Sequence, residues 1–265
     1  MNENIIDSNK PNAGRIYDYL LGGHHNFEVD RQAGEQLKQM LPFLPSALRL
    51  QRWCLQDIAE ELTNRGYDLI IDFASGLPTE DHIHHRVPLE TTVIYSDVDP
   101  ITVAYGQEIL EGTPNAHIFQ ANATNPEELL SRPEVQELLQ GRRDVAFVMW
   151  GVSAFLPEEG IQRACQYLYD WSDEKACLVF MAQATDLNPD DPVQRKVQGM
   201  YERMGAPLAA RSLERYMELV KPWRPDNNGF VSLLDWHGVD PSQMSESDRK
   251  VWGKSGPGYG AYLVK

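Results

Sequence analysis

The sequence predicts an α/β protein with a mostly parallel sheet, and three observations support this prediction. Short runs rich in β-branched and aromatic residues recur from residue 67 onward, as is typical of strands that are covered on both faces. Segments with helix-starting and helix-ending residues separate these runs. The last two runs have no helical segment between them, which favours an antiparallel end to a sheet otherwise built from right-handed βαβ units.

The individual elements follow in chain order. Five parallel strands are predicted, at residues 68–73, 91–96, 116–121, 144–150 and 176–182. Asp99 is placed to cap a helix that begins at Pro100 and ends before Gly112. Pro157 opens another helix, which carries one apolar stripe of Ile161, Ala164, Cys165 and Leu168. The final antiparallel strands are predicted at residues 229–236 and 258–265.

Two helical regions lie outside this alternation, at residues 1–66 and 186–225. About two helices are expected in each, at 27–40 and 46–65 in the first region and at 192–204 and 212–220 in the second. We therefore expect one compact domain with three parts. Residues 1–66 form a helical N-terminal lid, residues 67–185 and 226–265 form the core, and residues 186–225 form a helical cap insertion that contacts the substrate.

Composition and charge narrow the class of protein. The 265 residues suffice for a large core, and 42% hydrophobic with 24% charged residues are ordinary globular values. A net charge of −15 argues against a nucleic-acid substrate, because phosphate binding usually needs a basic stripe. No apolar window is long enough for a membrane helix, and the first ten residues do not resemble a signal peptide.

Cysteine usage indicates the compartment. Cys54, Cys165 and Cys177 are widely spaced and form no C-x-x-C pair, as expected of buried thiols in a reducing environment. We expect a cytoplasmic protein with a small-molecule partner and with neither a nucleic-acid nor a membrane partner. The sequence leaves the oligomeric state open, with a homodimer among the alternatives.

The chemistry is expected where the parallel strands end, because open α/β sheets bind ligands outside the carboxyl ends of their strands. Asp72 ends the first strand, and a turn of small residues, 74–79, follows it. Asp97 follows the second strand, about 25 residues after Asp72, near the roughly 20-residue gap at which an acid accepts hydrogen bonds from a ribose diol. Asn122 and Gly151 follow the third and fourth strands. This pattern predicts a nucleoside site.

The turn after the first strand discriminates between nucleotide ligands. A dinucleotide site needs G-x-G-x-x-G, so that backbone N–H groups face a pyrophosphate. Only Gly76 is present here, and Pro78 has no N–H to donate. A nucleoside without phosphates fits best, and S-adenosylmethionine (SAM) is the commonest such cofactor. A nicotinamide oxidoreductase and a purely structural turn with a capping aspartate are the alternatives.

The N-terminal segment is the most specific feature. Residues 15–27 have the form R-x-Y-D-Y-L-L-G-G-x-x-N-F, and residues 72–79 have the form D-x-x-x-G-L-P-T. Together they resemble a poorly characterised family of class I SAM-dependent methyltransferases, over a stretch from about Arg15 to Asp186. Three positions depart from the family pattern: Ala74 replaces a frequent glycine, Asn122 a common aspartate, and His24-His25 a pair that is often Lys-Asp.

The resemblance implies a Rossmann-like class I methyltransferase sheet that binds SAM and releases S-adenosylhomocysteine. Asp72 and the turn 74–76 would contact the methionine part, Asp97 the ribose, and Asn122 with Ala123 the adenine. Residues 17–26 would fold over the cofactor. The complete set of implied cofactor-binding residues is Tyr19, Gly22, Gly23, Asn26, Asp72, Ala74, Ser75, Gly76, Leu77, Pro78, Thr79, Asp97, Val98, Asp99, Asn122, Ala123, Trp150 and Gly151.

Methyl transfer to a small-molecule acceptor is the predicted reaction. The sulfonium is already activated, so positioning and exclusion of water would supply most of the catalysis, and a base is needed only if the acceptor loses a proton. His24 and His25 are the candidate bases, with Tyr17 and Tyr201 behind them. Two alternatives stay open. One is transfer or cyclisation of the aminocarboxypropyl group, and the other is a module that binds SAM without turnover.

Two further clusters favour structural roles. His82 and His85 would share one helix face while His84 points elsewhere, so no metal site is predicted. Four aromatic residues are candidates for a pocket lining, with core packing favoured for at least two of them: Trp150, Phe155, Trp223 and Trp236.

Overall fold

An eight-stranded sheet runs through the part of the chain that the computed structural model describes, residues 9–79, 81–184, 191–246, 249 and 256–265. Its strands are β1 (Leu69–Phe73), β2 (Thr92–Asp97), β3 (Ala116–Gln120), β4 (Ala146–Met149), β5 (Cys177–Ala182), β6 (Arg224–Pro225), β7 (Val231–Ser232) and β8 (Tyr259–Val264). The order is β3-β2-β1-β4-β5-β8-β6, with β7 also paired to β8. Strands β1 to β5 are parallel and β8 is antiparallel to β5, which confirms the predicted fold class.

Both faces of the sheet are covered by helices. The described helices are α1 (Ala13–Leu20), α2 (Glu28–Met40), α3 (Leu44–Asn64), α4 (Pro100–Ile109), α5 (Pro126–Leu130), α6 (Pro133–Leu139), α7 (Glu158–Trp171), α8 (Pro192–Met204), α9 (Leu213–Leu219) and α10 (Leu233–Trp236). Successive residues of a strand point to opposite faces, so Ile71 packs with α7 residues such as Ile161 and Ile70 with α3 residues such as Ile58. Continuous burial explains why the strands lack an apolar–polar alternation.

Most predicted helices are confirmed within two residues at each end, and α8 coincides with the predicted 192–204. The predicted stripe of α7 is fully buried. Residues 1–66 contain α1 in addition to the two expected helices. Asn12 starts α1 by accepting the backbone N–H groups of Gly14 and Arg15.

The predicted strand at residues 229–236 is wrong over its second half. Only Val231–Ser232 pairs with β8, and Leu233–Trp236 form the helix α10. Ser232 caps this helix, because its Oγ accepts the backbone N–H of Asp235 at 3.1 Å. The adjacent Leu233 and Leu234 are both buried in the cluster that contains α3, which a strand with alternating faces does not allow.

The lid and the cap pack on each other. Ile16 and Leu20 of α1, Leu37 of α2 and Val197 of α8 share a third cluster of buried apolar side chains. We call α1, α2 and α8 the helical cover. Residues 1–8 of the predicted lid, residues 186–190 of the predicted cap and Asp186, where the family resemblance ends, lie outside the described residues. Among the described helices, none combines the length and the apolar character needed to cross a membrane.

Candidate functional site

The turn that follows β1, residues 74–79, is anchored on the neighbouring strand β2. Asp72 lies in β1 opposite Tyr95 of β2, so the ends of the two strands are adjacent. Ser75 donates its backbone N–H to the carbonyl oxygen of Ser96 at 2.9 Å, and Gly76 donates to Asp97 Oδ2 at 3.1 Å. The backbone is left-handed at Ala74, with φ +55°, so the glycine that is frequent in the family fits the geometry of this position.

Asp97, the last residue of β2, lies beside this turn. Its Oδ1 accepts the backbone N–H of Asp99 at 2.9 Å, and its carboxylate is partly exposed. Burial raises the pKa of Asp97 to about 6, while the backbone N–H groups of Asp99 and Gly76 oppose this shift. A carboxylate has about four lone-pair sites, so hydroxyl donors still find acceptors here. The neighbouring Val98 is 60% exposed and leaves an uncovered apolar side chain beside the acid.

Asp99 has a structural role in this arrangement. It caps α4 through the N–H of Ile101, and its Oδ2 accepts Thr102 Oγ1 at 3.2 Å and Arg15 Nη1 at 3.3 Å. Arg15 also donates to Asp30 Oδ2 at 2.8 Å, and both partners of that pair are buried. The carboxylate of Asp99 thus ties the lid to the turn after β2.

The second half of the turn faces the protein. Leu77 is buried, and Pro78 lies against α4 at Gly106, where an added Cβ would come within 3.2 Å of Pro78 Cδ. Thr79 Oγ1 donates to Asp81 Oδ1 at 3.0 Å. Leu77, Pro78 and Thr79 therefore hold the second half of the turn against the rest of the protein.

The side-chain carbonyl of Asn122 accepts hydrogen bonds within its own turn. Oδ1 accepts both the backbone N–H and the hydroxyl of Thr124, each at 2.9 Å. The acceptor expected to meet an adenine amino group is thus already occupied by two donors, and the side-chain amide is the group left for a ligand. Ala123 is buried directly behind it.

The lid turn explains the N-terminal motif. Asp18 Oδ2 accepts the backbone N–H of His25 at 3.0 Å and Asn26 Nδ2 at 2.9 Å. A Cβ on Gly23 would lie 2.0 Å from Asp18 Oδ1, so any side chain there would displace Asp18, and Gly22 has φ +90°. Tyr19 points to α2, where its hydroxyl donates to Glu35 Oε1 at 2.7 Å. In the described contacts, Gly22, Gly23 and Asn26 build the lid turn.

A buried polar cluster lies beneath the turn. The ring of His82 is oriented by its neighbours, since Nδ1 accepts the N–H of Ile83 at 2.9 Å and Nε2 faces the carbonyl oxygen of Ser75 at 3.3 Å. The same Nε2 lies 3.8 Å from Asp72 Oδ2. Burial raises the pKa of Asp72 well above its ordinary value and lowers the pKa of His82 well below its own.

Arg52 of α3 belongs to this cluster and was missed by the sequence analysis. Its side chain is 5% exposed, with Nε 3.7 Å from Asp81 Oδ1 and the guanidinium 5.4 Å from the ring of Tyr17. A signal was available, because Arg52 lies four residues after Leu48 and three before Leu55, on the spacing of one helix face. A charge on an otherwise apolar face is an informative exception.

The histidine cluster after this turn is structural. Tyr95 OH accepts the backbone N–H of His84 and lies 2.9 Å from its Nδ1. Burial lowers the pKa of His84 to about 4. Within the described ranges, no three His, Cys, Asp or Glu side chains are grouped so that they could hold a metal ion.

The three candidate catalytic residues have different surroundings. His24 is exposed, and the ring of His25 lies edge-on to Tyr105 of α4, with 5.3 Å between centroids. Tyr17 is placed beside Arg52, and burial raises the pKa of its phenol. Of the three, Tyr17 is the one that faces the buried polar cluster.

The turn after β4 joins the core to the cap. Trp150 donates Nε1–H to the carbonyl oxygen of Gln51 at 2.9 Å and is buried, while Gly151 has φ +76°. Phe155 lies 5.6 Å from the ring of Tyr201 in α8. Of the four candidate lining aromatics, Trp150 and Trp223 pack in the core.

Comparisons with known proteins agree with this fold. A model of the S-adenosyl methyltransferase family matches residues 1–258. A candidate methyltransferase from Thermobifida fusca is 25% identical, with a TM-score of 0.83 over 98% of this chain and 97% of that chain. A DUF574 family protein from Streptomyces avermitilis is 23% identical, with a TM-score of 0.80 over 98% and 99%.

A more distant fold similarity includes a cofactor complex. Human N-acetylserotonin methyltransferase, solved with SAM, is 13% identical, with a TM-score of 0.50 over 96% of this chain and 63% of that chain. No curated protein matches the sequence. Because the family model spans nearly the whole chain, this protein belongs to the S-adenosyl methyltransferase family, and it is a SAM-dependent methyltransferase with a Rossmann-like fold.

Proposed function

We propose that this methyltransferase acts on a small-molecule acceptor that binds beneath the helical cover. One observation carries the proposal: the cover is tied to the sheet at two turns that follow parallel strands. Arg15 connects it to Asp99 after β2. After β4, the ring of Phe155 lies 5.6 Å from the ring of Tyr201 in α8. An acceptor must therefore fit between these helices and the edge of the sheet.

Charge and fold similarity support the same class of acceptor. The net charge of −15 disfavours a nucleic-acid phosphate backbone. Two proteins with the same fold are named for small-molecule reactions: N-acetylserotonin methyltransferase, described above, and the mitomycin 7-O-methyltransferase MmcR, which is 12% identical with a TM-score of 0.52 over 95% of this chain and 67% of that chain.

The residues at the edge of the sheet fit SAM. When bound, SAM supplies a methyl group on a positively charged sulfur, from which a nucleophile displaces it. Asp97 would accept the ribose hydroxyls, and Val98 would pack against the base. Asp72 and the turn 74–76 would contact the methionine part. The carboxyl groups of Asp72 and Asp97 suit a ligand that carries positive charge and hydroxyl donors.

Positioning would supply most of the catalysis. Burial keeps the phenol of Tyr17 protonated at neutral pH, so Tyr17 would donate a hydrogen bond rather than remove a proton. Where the acceptor must lose a proton, His25 and the exposed His24 would act as the base. Phe155 and Tyr201 would provide an aromatic wall from the turn after β4 and from the cap.

A transfer assay tests the proposal. The protein is incubated with methyl-labelled SAM and, separately, with phenols, amines, carboxylic acids, a bulk protein and tRNA. We expect label in a small molecule with stoichiometric S-adenosylhomocysteine, and we expect Asp97→Asn to abolish it. Glu108→Gln, on the exposed side of α4, is the matched control and should retain activity.

Two results would overturn the proposal. Label confined to the protein or the tRNA would place the acceptor in another class. Methylthioadenosine as the nucleoside product would show transfer of the aminocarboxypropyl group instead.

We also propose a cytoplasmic location. The three cysteines, Cys54, Cys165 and Cys177, are all free and buried, as expected of thiols that need no oxidising compartment. Burial raises the pKa of Cys165 and of Cys177 to about 12, so both remain unreactive thiols at neutral pH. Cell fractionation of a fluorescently tagged chain tests the location.

The oligomeric state is open, and sedimentation equilibrium tests whether the chain forms a homodimer.

A further inference from the structure

The buried polar cluster contains polar atoms that the chain leaves without partners. Among the described residues, Arg52 Nε, Arg52 Nη1 and Asp72 Oδ1 are buried and have no hydrogen-bond partner. Their residues are 5% and 1% exposed. An unsatisfied buried group costs free energy, and more so when it is charged, so such atoms in a native protein require an explanation.

The neighbouring groups do not supply the missing hydrogen bonds. Asp81 Oδ1 lies 3.7 Å from Arg52 Nε, beyond hydrogen-bond distance, and the Asp81 side chain is 45% exposed. The ring of Tyr17 lies 5.4 Å from the guanidinium, and beside it Arg52 Nε and Nη1 remain without a hydrogen-bond partner. On the acid, Asp72 Oδ2 lies 3.8 Å from His82 Nε2. Arg52 therefore retains N–H donors without partners, and Asp72 retains a carboxyl oxygen without a partner. The two groups are of opposite charge type and belong to one cluster.

Those two groups match the two charges of an α-amino acid. A guanidinium presents several N–H donors in a planar fork that suits a carboxylate, and a carboxyl group accepts from an ammonium. The positive charge of Arg52 also acts on Asp72, since it lowers the pKa of that acid against the larger effect of burial. Arg52 and Asp72 thus interact within one buried cluster and both carry atoms without partners, as a site for one small zwitterion requires.

We propose that Arg52 binds the carboxylate of the methionine part of SAM, while Asp72 accepts its ammonium group. The inference rests on the proposed placement of the cofactor at this edge of the sheet. It makes Arg52 a cofactor-binding residue that is contributed by the lid region, from α3, rather than by the strand ends. It also gives the free enzyme a reason to keep a buried charge without a partner.

The alternative is that Arg52 only compensates the charges of Asp72 and Asp81. Ligands that lack one chemical group separate the two explanations. Decarboxylated SAM keeps the adenosine, the sulfonium and the amine but has no carboxylate. Methylthioadenosine lacks the entire amino acid. A residue that meets the carboxylate affects SAM alone, whereas a structural residue affects every ligand in parallel.

Calorimetric titration of these three ligands is the experiment, with wild type, Arg52→Gln, Arg52→Lys and Arg49→Gln. Arg49→Gln removes the same charge from an exposed position of α3 and is the matched control. We expect wild type to prefer SAM over its decarboxylated form by about 30-fold, as one charged hydrogen-bonded pair predicts. Arg52→Gln should abolish that preference and should change the affinity for methylthioadenosine less than about 3-fold.

The outcomes are separable. Equal weakening of all three ligands by Arg52→Gln, or unchanged SAM affinity, would overturn the inference. Retained binding of methylthioadenosine shows that the variant is folded, and Arg52→Lys, which keeps the charge, provides the same comparison if Arg52→Gln does not fold. An unchanged SAM affinity in Asp97→Asn would instead contradict the placement of the cofactor in the proposed function.

Discussion

The sheet and the helical cover are stabilised in different ways. Strands β1, β4 and β5 are buried at every residue, and two large apolar clusters cover the two faces of the sheet. In the cover, the described cluster has five buried apolar residues: Ile16, Leu20, Ala33, Leu37 and Val197. Buried polar contacts of Arg15 and Asp18 supplement it. Regions with few buried apolar contacts open at lower free energy, so the cover is the part suited to admit ligands.

A matched pair of substitutions tests this contrast most strongly. Leu178 of β5 and Leu37 of α2 are both fully buried, and Leu→Ala removes the same atoms from each. We expect Leu178→Ala to lower the free energy of unfolding by about 4 kcal/mol, because the rigid sheet cannot collapse onto the cavity. Urea denaturation followed by circular dichroism measures this change.

Leu37→Ala should lower the free energy of global unfolding less than Leu178→Ala does. It should instead accelerate amide hydrogen exchange in α1, α2 and α8. Equal global losses, with no local increase in exchange, would show that the cover and the sheet unfold as one unit.

Removing the charge of Arg15 should give the next largest effect. Arg15→Gln leaves the buried Asp30 without its cationic partner, although the backbone N–H groups of Asn12 and Phe27 still donate to that acid. We expect the cover to be destabilised by about 3 kcal/mol, near the lower end for a broken buried ion pair. Hydrogen exchange of α1 measures the change. Asp30→Asn added to Arg15→Gln should recover part of the loss, and a double variant as unstable as the sum of the single variants would contradict the ion-pair explanation.

The lid turn offers a smaller and more local test. Gly23→Ala places a Cβ 2.0 Å from Asp18 Oδ1, so the turn must shift, and we expect a loss of about 2 kcal/mol. Gly22→Ala is the control, because a Cβ there meets nothing within 4 Å and only the left-handed backbone is strained, at about 1 kcal/mol. Thermal unfolding and SAM affinity should rank wild type above Gly22→Ala and Gly22→Ala above Gly23→Ala. The reverse order of the two variants would argue against the Asp18 contact.

The smallest effect concerns pH at the edge of the sheet. Burial raises the pKa of Asp97 to about 6, so the carboxylate is present above that pH and is lost as the pH falls through it. Protonation removes acceptor capacity for two ribose hydroxyls, so SAM affinity should fall by about tenfold per pH unit below pH 6, or about 1.4 kcal/mol. Titration calorimetry between pH 5 and 8 measures this. Asp97→Asn should bind weakly with a flat profile, and a profile unchanged in that variant would assign the titration to another group.

The sequence predicted the sheet more fully than the site. Strands β1 to β5 have continuous apolar runs, which are local signals, and the carboxyl-end rule then located Asp72 and Asp97. The groups that each side chain contacts could not be predicted in this way. Asn122 was expected to offer its carbonyl to a ligand, yet that oxygen accepts Thr124. Asp99 caps α4 as predicted, but its contact with Arg15 was not predicted.

The amino-acid sequence by itself determined the α/β class, the parallel strands and the acidic residues at their ends, because periodicity and helix caps act over a few neighbouring residues. The tertiary structure alone decided which polar groups meet. The guanidinium of Arg52 reaches the cluster of Asp72 because α3 packs against the sheet. The lid shares a core with the cap because Leu37 and Val197 meet across more than half of the chain. Such contacts depend on how elements pack, and no local pattern encodes their packing.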